Sequence, residues 1–218
     1  MKTTIHNKIK QGTREWHELR WGKIGGTTSD QLHVHSDTLL NQLVAERLEP
    51  YTPEDSYVSN AMQRGLDLEP IAREELEKHT GEKFTVPGWC ESVEVPLIGF
   101  SPDGIIQSGR VGCEIKCPGA KKHVEYLRNP GQVPKEYLHQ CVHMFAVCPE
   151  LELVYFCSYR PECMVPLFVA ELYRRTEINL GTSKRPKMTT VEELADKKIA
   201  TALTLSNQID AEVEKLTF

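Results

Sequence analysis

Apolar residues recur at helical spacing in several stretches of the chain and alternate with polar ones in others. Between Asp37 and Glu49, the positions Leu40, Leu43, Val44 and Leu48 predict a helix. A second is predicted from Ser59 to His79, with Gly65 and Pro70 expected to bend or divide it and Gly81 placed to stop it. Short alternating runs follow, FTVPGWCESVEV and then LIGFSPDGIIQSGRVGCEIKC, with a hairpin turn expected at Gln107–Arg110. Residues 120–128 and 134–147 read as helices, the second packing through Leu138, Cys141, Val142 and Phe145. ELVYFCSY and LFVAELY read as strands. The tail from Val191 to Leu216 predicts a long helix, with Thr190 and Glu193 as a capping box and Leu194, Ile199, Leu203 and Val213 on its apolar side. Loops are expected at 50–57, around 128–134 and at 181–188, and no repeat or low-complexity tract interrupts the pattern. This order of elements predicts a single α/β domain over residues 1–218, with a central mixed β-sheet flanked by helices.

Composition narrows the class. At 218 residues and 39% hydrophobic content the chain can bury a substantial core without disulfides or metal. No apolar run approaches the length that spans a bilayer, and the first residues carry no apolar signal core, so a cytoplasmic protein without a membrane partner is expected. Seven cysteines without a CxxC pair fit neither a disulfide scaffold nor a four-cysteine zinc site. The net charge of −5 hides an uneven distribution. Residues 1–25 carry six basic side chains against Glu15 and Glu18, and residues 110–135 carry six against Glu114 and Glu125, so each segment is net +4. That pattern suits a localised polyanion site, although chance clustering produces the same arithmetic.

The stretch Ser101-Pro102-Asp103-Gly104, followed by Glu114-Ile115-Lys116-Cys117-Pro118, is the richest in chemistry. Alternation along a strand sends Glu114 and Lys116 to one face and Cys113, Ile115 and Cys117 to the other. The hairpin brings Asp103 beside Glu114, and two adjacent carboxylates repel unless a cation lies between them. Hard divalent ions such as Mg²⁺ take oxygen ligands of this kind, and an ammonium nearby can orient water or steady charge on a phosphate. The alternative is an exposed hairpin carrying a surface Glu–Lys pair.

Four blocks, in order, place this stretch in context: GTREWHELRWGKIGGT, RGLDLEPIAREELEKHTG, GFSPDG…GCEIKCP, and YLHQCVHMFAV with VYFCSYRPE. Over roughly residues 10–175 the chain resembles the YqaJ-like viral recombinases, lambda-exonuclease-like enzymes of the PD-(D/E)XK nuclease superfamily. The resemblance implies a restriction-endonuclease-like core and a Mg²⁺-dependent deoxyribonuclease, with Mn²⁺ as a substitute, that degrades one strand of double-stranded DNA from 5′ ends. It further implies a ring-shaped homotrimer, a single-strand annealing protein as recombination partner, and a phage or prophage gene expressed in a bacterial cytoplasm. Carried over by position, Asp103, Glu114 and the backbone carbonyl of Ile115 become metal ligands and Lys116 the catalytic lysine. Glu69 becomes an acidic residue supporting the metal or its water, and Gln140 an active-site glutamine; Val142 stands where the family often has a second glutamine. Arg20 matches a residue binding the 5′-terminal phosphate. Thr27 takes the hydroxyl position, with Thr28 and Ser29 competing because the chain reads IGGTTSD. Ser101, Lys121 and Lys122 are further phosphate-contact candidates, and Met62 matches an apolar wedge that parts the duplex. Read without the family, Glu69 is a helix N-terminal carboxylate, Gln140 a polar position on an amphipathic helix and Met62 a buried helix residue. Trp16 and Trp21 read as core or staple residues. His139 and His143 stand at i, i+4, and His33 and His35 two apart, but no HExxH pattern supports a zinc hydrolase, since Gln140 follows His139.

Overall fold

The computed structural model describes residues 2–33, 37–53, 59–182 and 184–217. In chain order the elements are β1 (Thr3–His6), α1 (Arg14–Arg20), a 3-10 segment (Gly26–His33), α2 (Asp37–Leu48), α3 (Asn60–Thr80), β2 (Trp89–Ser92), β3 (Gly99–Phe100), β4 (Gly104–Ile105), β5 (Val111–Lys116), α4 (Ala120–Leu127), α5 (Lys135–Val147), β6 (Leu153–Tyr159), β7 (Leu167–Tyr173), β8 (Glu177–Asn179), β9 (Met188–Thr190) and α6 (Val191–Thr217). The class is α/β, as expected. The strands divide among a mixed four-stranded sheet ordered β4-β5-β6-β7, an antiparallel sheet β1-β2-β3 and the small pair β8-β9. In the four-stranded sheet only β5 and β6 run parallel, which α4 and α5 make possible by carrying the chain across one face.

Two apolar clusters show how the layers stack. On one face of this sheet Cys113, Ile115, Tyr155 and Cys157 pack with Ala72 and Leu76 of α3. On the other, Val154 and Phe156 meet Tyr126 of α4 and Phe145 of α5, and α6 closes the layer behind α5. Glu114 and Lys116 pair in register with Phe156 and Ser158, so they share the face that α4 and α5 cover. The alternation read from the sequence is therefore the alternation observed.

Several boundaries follow their local chemistry. Ser59 caps α3 through its side chain, and Gly81 ends it with φ 78°, a left-handed conformation that costs glycine little. Pro70 does not divide the helix. It is exposed, as is Leu66 one turn earlier, so the Leu66 carbonyl that loses its partner can be solvated. Thr190 and Glu193 exchange the two hydrogen bonds of a capping box at the start of α6. The hairpin at Gln107–Arg110 turns on Gly109, φ 74°. Two helix faces differ from expectation. In α2, Leu39 is buried and Leu48 exposed. In α6, Leu203 is exposed while the buried stripe runs through Val191, Leu194, Ala195, Lys198, Ala202, Leu205 and Ile209. Short β1, β8 and β9 carry too few residues to announce themselves by alternation. No helix among the described residues is long and apolar enough to cross a membrane.

Trp89 of β2 is buried and lies flat against Gly99 of β3: a Cβ at Gly99 would stand 2.3 Å from the indole and 2.6 Å from the Cys90 carbonyl oxygen. Neither neighbour can yield, one being a buried ring and the other sheet backbone. Gly99→Ala is therefore expected to destabilise the fold by about 3 kcal/mol through overpacking, read from the denaturant midpoint.

Candidate active site

Strand β4 holds only two residues, so the edge of β5 beyond it is open. Asp103 sits just before β4, where its Oδ2 accepts the backbone N–H of Ile115 at 2.6 Å. This bond replaces a ladder partner and fixes the carboxylate against β5. From the opposite face α3 reaches the same edge: Arg73 Nη1 donates to the Asp103 carbonyl oxygen at 2.6 Å and to Glu69 Oε1, one turn earlier, at 3.2 Å. Glu114 and Lys116 complete the cluster from β5. Their ion pair is close but poorly angled, leaving the buried Glu114 Oε1 without a directed hydrogen bond.

The electrostatics follow from crowding. Burial, and then the charge of Asp103, push Glu114 up to about 8. Asp103 is raised by burial despite Lys116, the Ile115 N–H and Arg73, and Glu69 is raised by burial and by Asp103. Burial alone would lower Lys116, but Glu114 and Asp103 outweigh it and raise it. The lysine also lies 5.2 Å from the centroid of the Tyr137 ring, which stacks on Phe156. Three carboxylates thus face two cations, and one of them, Arg73, is shared with a carbonyl.

A cavity of about 200 Å³ opens onto this cluster. Asp103, Glu114 and Lys116 line it, with Gln140 and Met144 from α5, Ser101, Gly26 and Thr27, and Trp16 and Arg20 from α1. Helix α5 presents Tyr137, Gln140 and Met144 on one face because they are spaced at i, i+3 and i+7. Arg20 is the unusual member. Its guanidinium lies 4.0 Å from the Trp16 ring centroid and 5.4 Å from that of Trp89. Its buried Nε has no partner, burial lowers its pKa, and it has no hydrogen-bond or ion-pair partner among the described residues.

The remaining candidates separate cleanly. Of the three competing hydroxyls, Thr27 lines the cavity, Thr28 donates to the Gly25 carbonyl and faces a neighbouring pocket, and Ser29 is buried with its proton on the His139 carbonyl. Ser101 lines the cavity, but its hydroxyl donates to the Gly88 carbonyl at 2.8 Å and accepts from Trp16 Nε1 at 2.8 Å, so its proton is already committed. Lys121 and Lys122 are exposed on α4 and do not line the cavity; Lys122 pairs with Glu125 and Glu136. Met62 is 57% exposed, which removes the reading as a buried helix residue. Trp16 and Trp21 both act as staples, Trp21 through Nε1 on the Glu49 carbonyl. His143 is buried against the Gly99 carbonyl at 3.0 Å and held neutral, its pKa pushed down to about 3 by burial. His35 and the side chain of His33 lie outside the described residues. Arg73, Tyr137 and Trp89 were not anticipated. Arg73 alone left a trace, as the i+4 partner of Glu69.

The donor set suits a hard divalent cation: carboxylates kept from full ionisation first by burial and, for Glu114 and Glu69, by the charge of Asp103, with a buried Glu114 oxygen lacking a directed partner. Among the described residues, no three His, Cys, Asp or Glu side chains are grouped so as to hold a metal ion between them, so Asp103 and Glu114 are the side-chain pair to consider. An open site of few protein ligands is the form expected where water and substrate oxygens complete the shell.

Comparison with known proteins bears on the fold and the family. The fold is similar to the crystal structure of an alkaline exonuclease, LHK-Exo, from Laribacter hongkongensis, with TM-score 0.74, 24% identity and coverage of 94% of this chain and 96% of that one. It is similar to LHK-Exo in complex with dAMP at TM-score 0.71 and 25% identity, over the same shares of each chain. A phage-related exonuclease from Haemophilus somnus 129PT matches at TM-score 0.50 and 11% identity, over 87% of this chain and 96% of that one. No curated protein matches the chain. Residues 15–149, which include the whole lining of the cavity, match the YqaJ-like viral recombinase domain, and the chain belongs to that family.

Proposed function

We propose that this protein is a Mg²⁺-dependent exonuclease that degrades one strand of double-stranded DNA in the 5′ to 3′ direction from 5′-phosphorylated ends. The observation that carries the proposal is the cavity itself. An unpaired arginine and the Asp103–Glu114–Lys116 cluster share about 200 Å³, so a terminal phosphate held at one end places a phosphodiester near the other. Family membership and the exonuclease folds support phosphodiester chemistry, and the dAMP complex of the Laribacter enzyme supports a site shaped for a nucleoside monophosphate.

Each residue then has a task. Asp103, Glu114 and the Ile115 carbonyl would hold the cation, with Glu69 supporting it through water. The N–H and C=O of one strand residue point to the same edge, so the Ile115 carbonyl opens on the side where its N–H meets Asp103. When bound, such an ion supplies acidity to water and charge neutralisation to the scissile phosphate. Lys116, kept charged by its carboxylate neighbours, holds water or a phosphate oxygen by its N–H donors. Gln140 orients a polar group without adding charge. Arg20 offers an unspent guanidinium fork to the terminal phosphate, with Thr27 as a neutral donor. Met62, exposed at the start of α3 with Leu66 one turn on, is placed to wedge against a base pair. A homotrimeric ring, transfer of the product strand to a single-strand annealing protein, and action in a bacterial cytoplasm during phage recombination complete the proposal, all from family likeness.

Glu114→Gln and Lys116→Ala are expected to lower kcat at least about a thousandfold while duplex binding persists, since both act on developing charge. Near-native turnover in either variant contradicts the assignment. Mg²⁺ and Mn²⁺ should support cleavage and Ca²⁺ binding alone. Linear duplex should be digested and closed circular duplex left intact; cutting of the circle points to endonuclease action. Arg20→Ala should cut the preference for 5′-phosphorylated over 5′-hydroxyl ends by about tenfold, measured as relative kcat/KM.

A further inference from the structure

The buried stripe of α6 includes a lysine. Lys198 is fully buried, and its Nζ donates to the backbone carbonyl of Ser29, in the 3-10 segment Gly26–His33. No carboxylate among the described residues lies in ion-pair contact with it. The charged and titratable groups that act on it or feel it are Asp30 from the 3-10 segment and His139 and His143 from α5. From α2, which also packs on α6, the buried side chains are the apolar Leu39, Leu43 and Val44. Burial pulls Lys198 down to about 7, against the opposing charge of Asp30. A methionine of similar length would fill this place without desolvating a cation, so packing does not account for a lysine here.

What the lysine holds accounts for it. Gly26 and Thr27, at the start of the same segment, form one wall of the active-site cavity. Gly26 packs so closely on Gln140 that a Cβ there would lie 3.1 Å from the glutamine Cγ. Ser29 ties the segment to α5 by donating its hydroxyl to the carbonyl of His139, the residue before Gln140, at 3.0 Å. Lys198 donates to the Ser29 carbonyl at this junction, and it does so from α6, outside the matched residues 15–149. The segment is eight residues long, well beyond the usual run of a 3-10 helix, whose internal hydrogen-bond geometry is poor, so contacts from outside help to hold it.

We propose that Lys198 is a positioning residue for the terminal-phosphate end of the active site, fixing the 3-10 segment so that Thr27 and Gly26 keep register with Arg20 and Gln140. The proposal rests on the nuclease reading for its kinetic consequence but not for its structural one.

Lys198→Met separates the two. The variant is expected to fold with a melting temperature equal to or above that of the wild type, because a buried charge is removed. Backbone amides of residues 26–33 should nevertheless exchange with deuterium about tenfold faster, and KM for 5′-phosphorylated duplex should rise about tenfold with kcat within about twofold. Lys198→Arg, which keeps a charged donor, should recover most of the loss in KM. Unchanged exchange in residues 26–33 overturns the proposal, as does an equal fall in stability, kcat and KM performance, which marks a residue that only maintains the fold. A wild-type chain inactive on every DNA sinks the nuclease reading, and the exchange measurement then still decides the role of Lys198.

Discussion

The crowding of buried carboxylates at the open edge of β5 is the constraint around which this protein is arranged. Asp103, Glu114 and Glu69 arrive from three elements, and Lys116 and Arg73 offset them only in part. Such crowding is costly to fold, and a protein selected for stability alone would replace one carboxylate with an amide. The architecture instead secures it. The Ile115 N–H holds Asp103, Arg73 bridges Glu69 and the Asp103 carbonyl, and α5 presses the Tyr137 ring toward the Lys116 ammonium. An edge strand of only two residues leaves the cluster accessible from one side.

The second site element is the reverse case, a cation without an acceptor. Arg20 is supported by apolar and aromatic surface, Trp16 at 4.0 Å and Trp89 beyond it, rather than by a carboxylate. Trp89 keeps its place because Gly99 has no side chain, and Trp16 keeps its place through Ser101 and Gly88. Several other basic side chains of the two positive segments are paired, Arg14 with Glu18, Lys23 with Glu91, Arg110 with Glu152 and Lys122 with Glu136, while Lys8, Lys10, Lys121 and Arg128 are exposed to solvent. Part of the local positive charge in the sequence is therefore neutralised, and Arg20 stands out because it is unspent with a buried Nε in the cavity lining.

Legibility in the sequence depended on how local each constraint is. Asp103, Glu114 and Lys116 could be read because a hairpin brings them together, and strand alternation gave their faces correctly. Helices α2 to α6 were visible from apolar spacing and caps. The choice among Thr27, Thr28 and Ser29 needed the fold, since only burial and the His139 and Gly25 carbonyls distinguish three adjacent hydroxyls. Lys121 and Lys122 were drawn in by proximity in the chain to Cys117–Pro118, but α4 turns them toward solvent. Arg73 and Lys198 escaped notice for one reason: each acts on a backbone carbonyl distant in sequence, and an apolar count along α6 passes over a buried lysine.

The proposed role of Asp103 and Glu114 is to hold a divalent cation together with the Ile115 carbonyl. Calorimetric titration of the chelator-treated protein with Mg²⁺ near pH 7, repeated in buffers of different ionisation enthalpy, tests it most directly. Binding should be saturable, and because burial and Asp103 raise Glu114 to about 8 while a metal-held carboxylate is deprotonated, it should release protons; both signals should vanish in Glu114→Gln. Absence of saturable binding in the wild type, or the same binding and proton release in Glu114→Gln, would contradict the account.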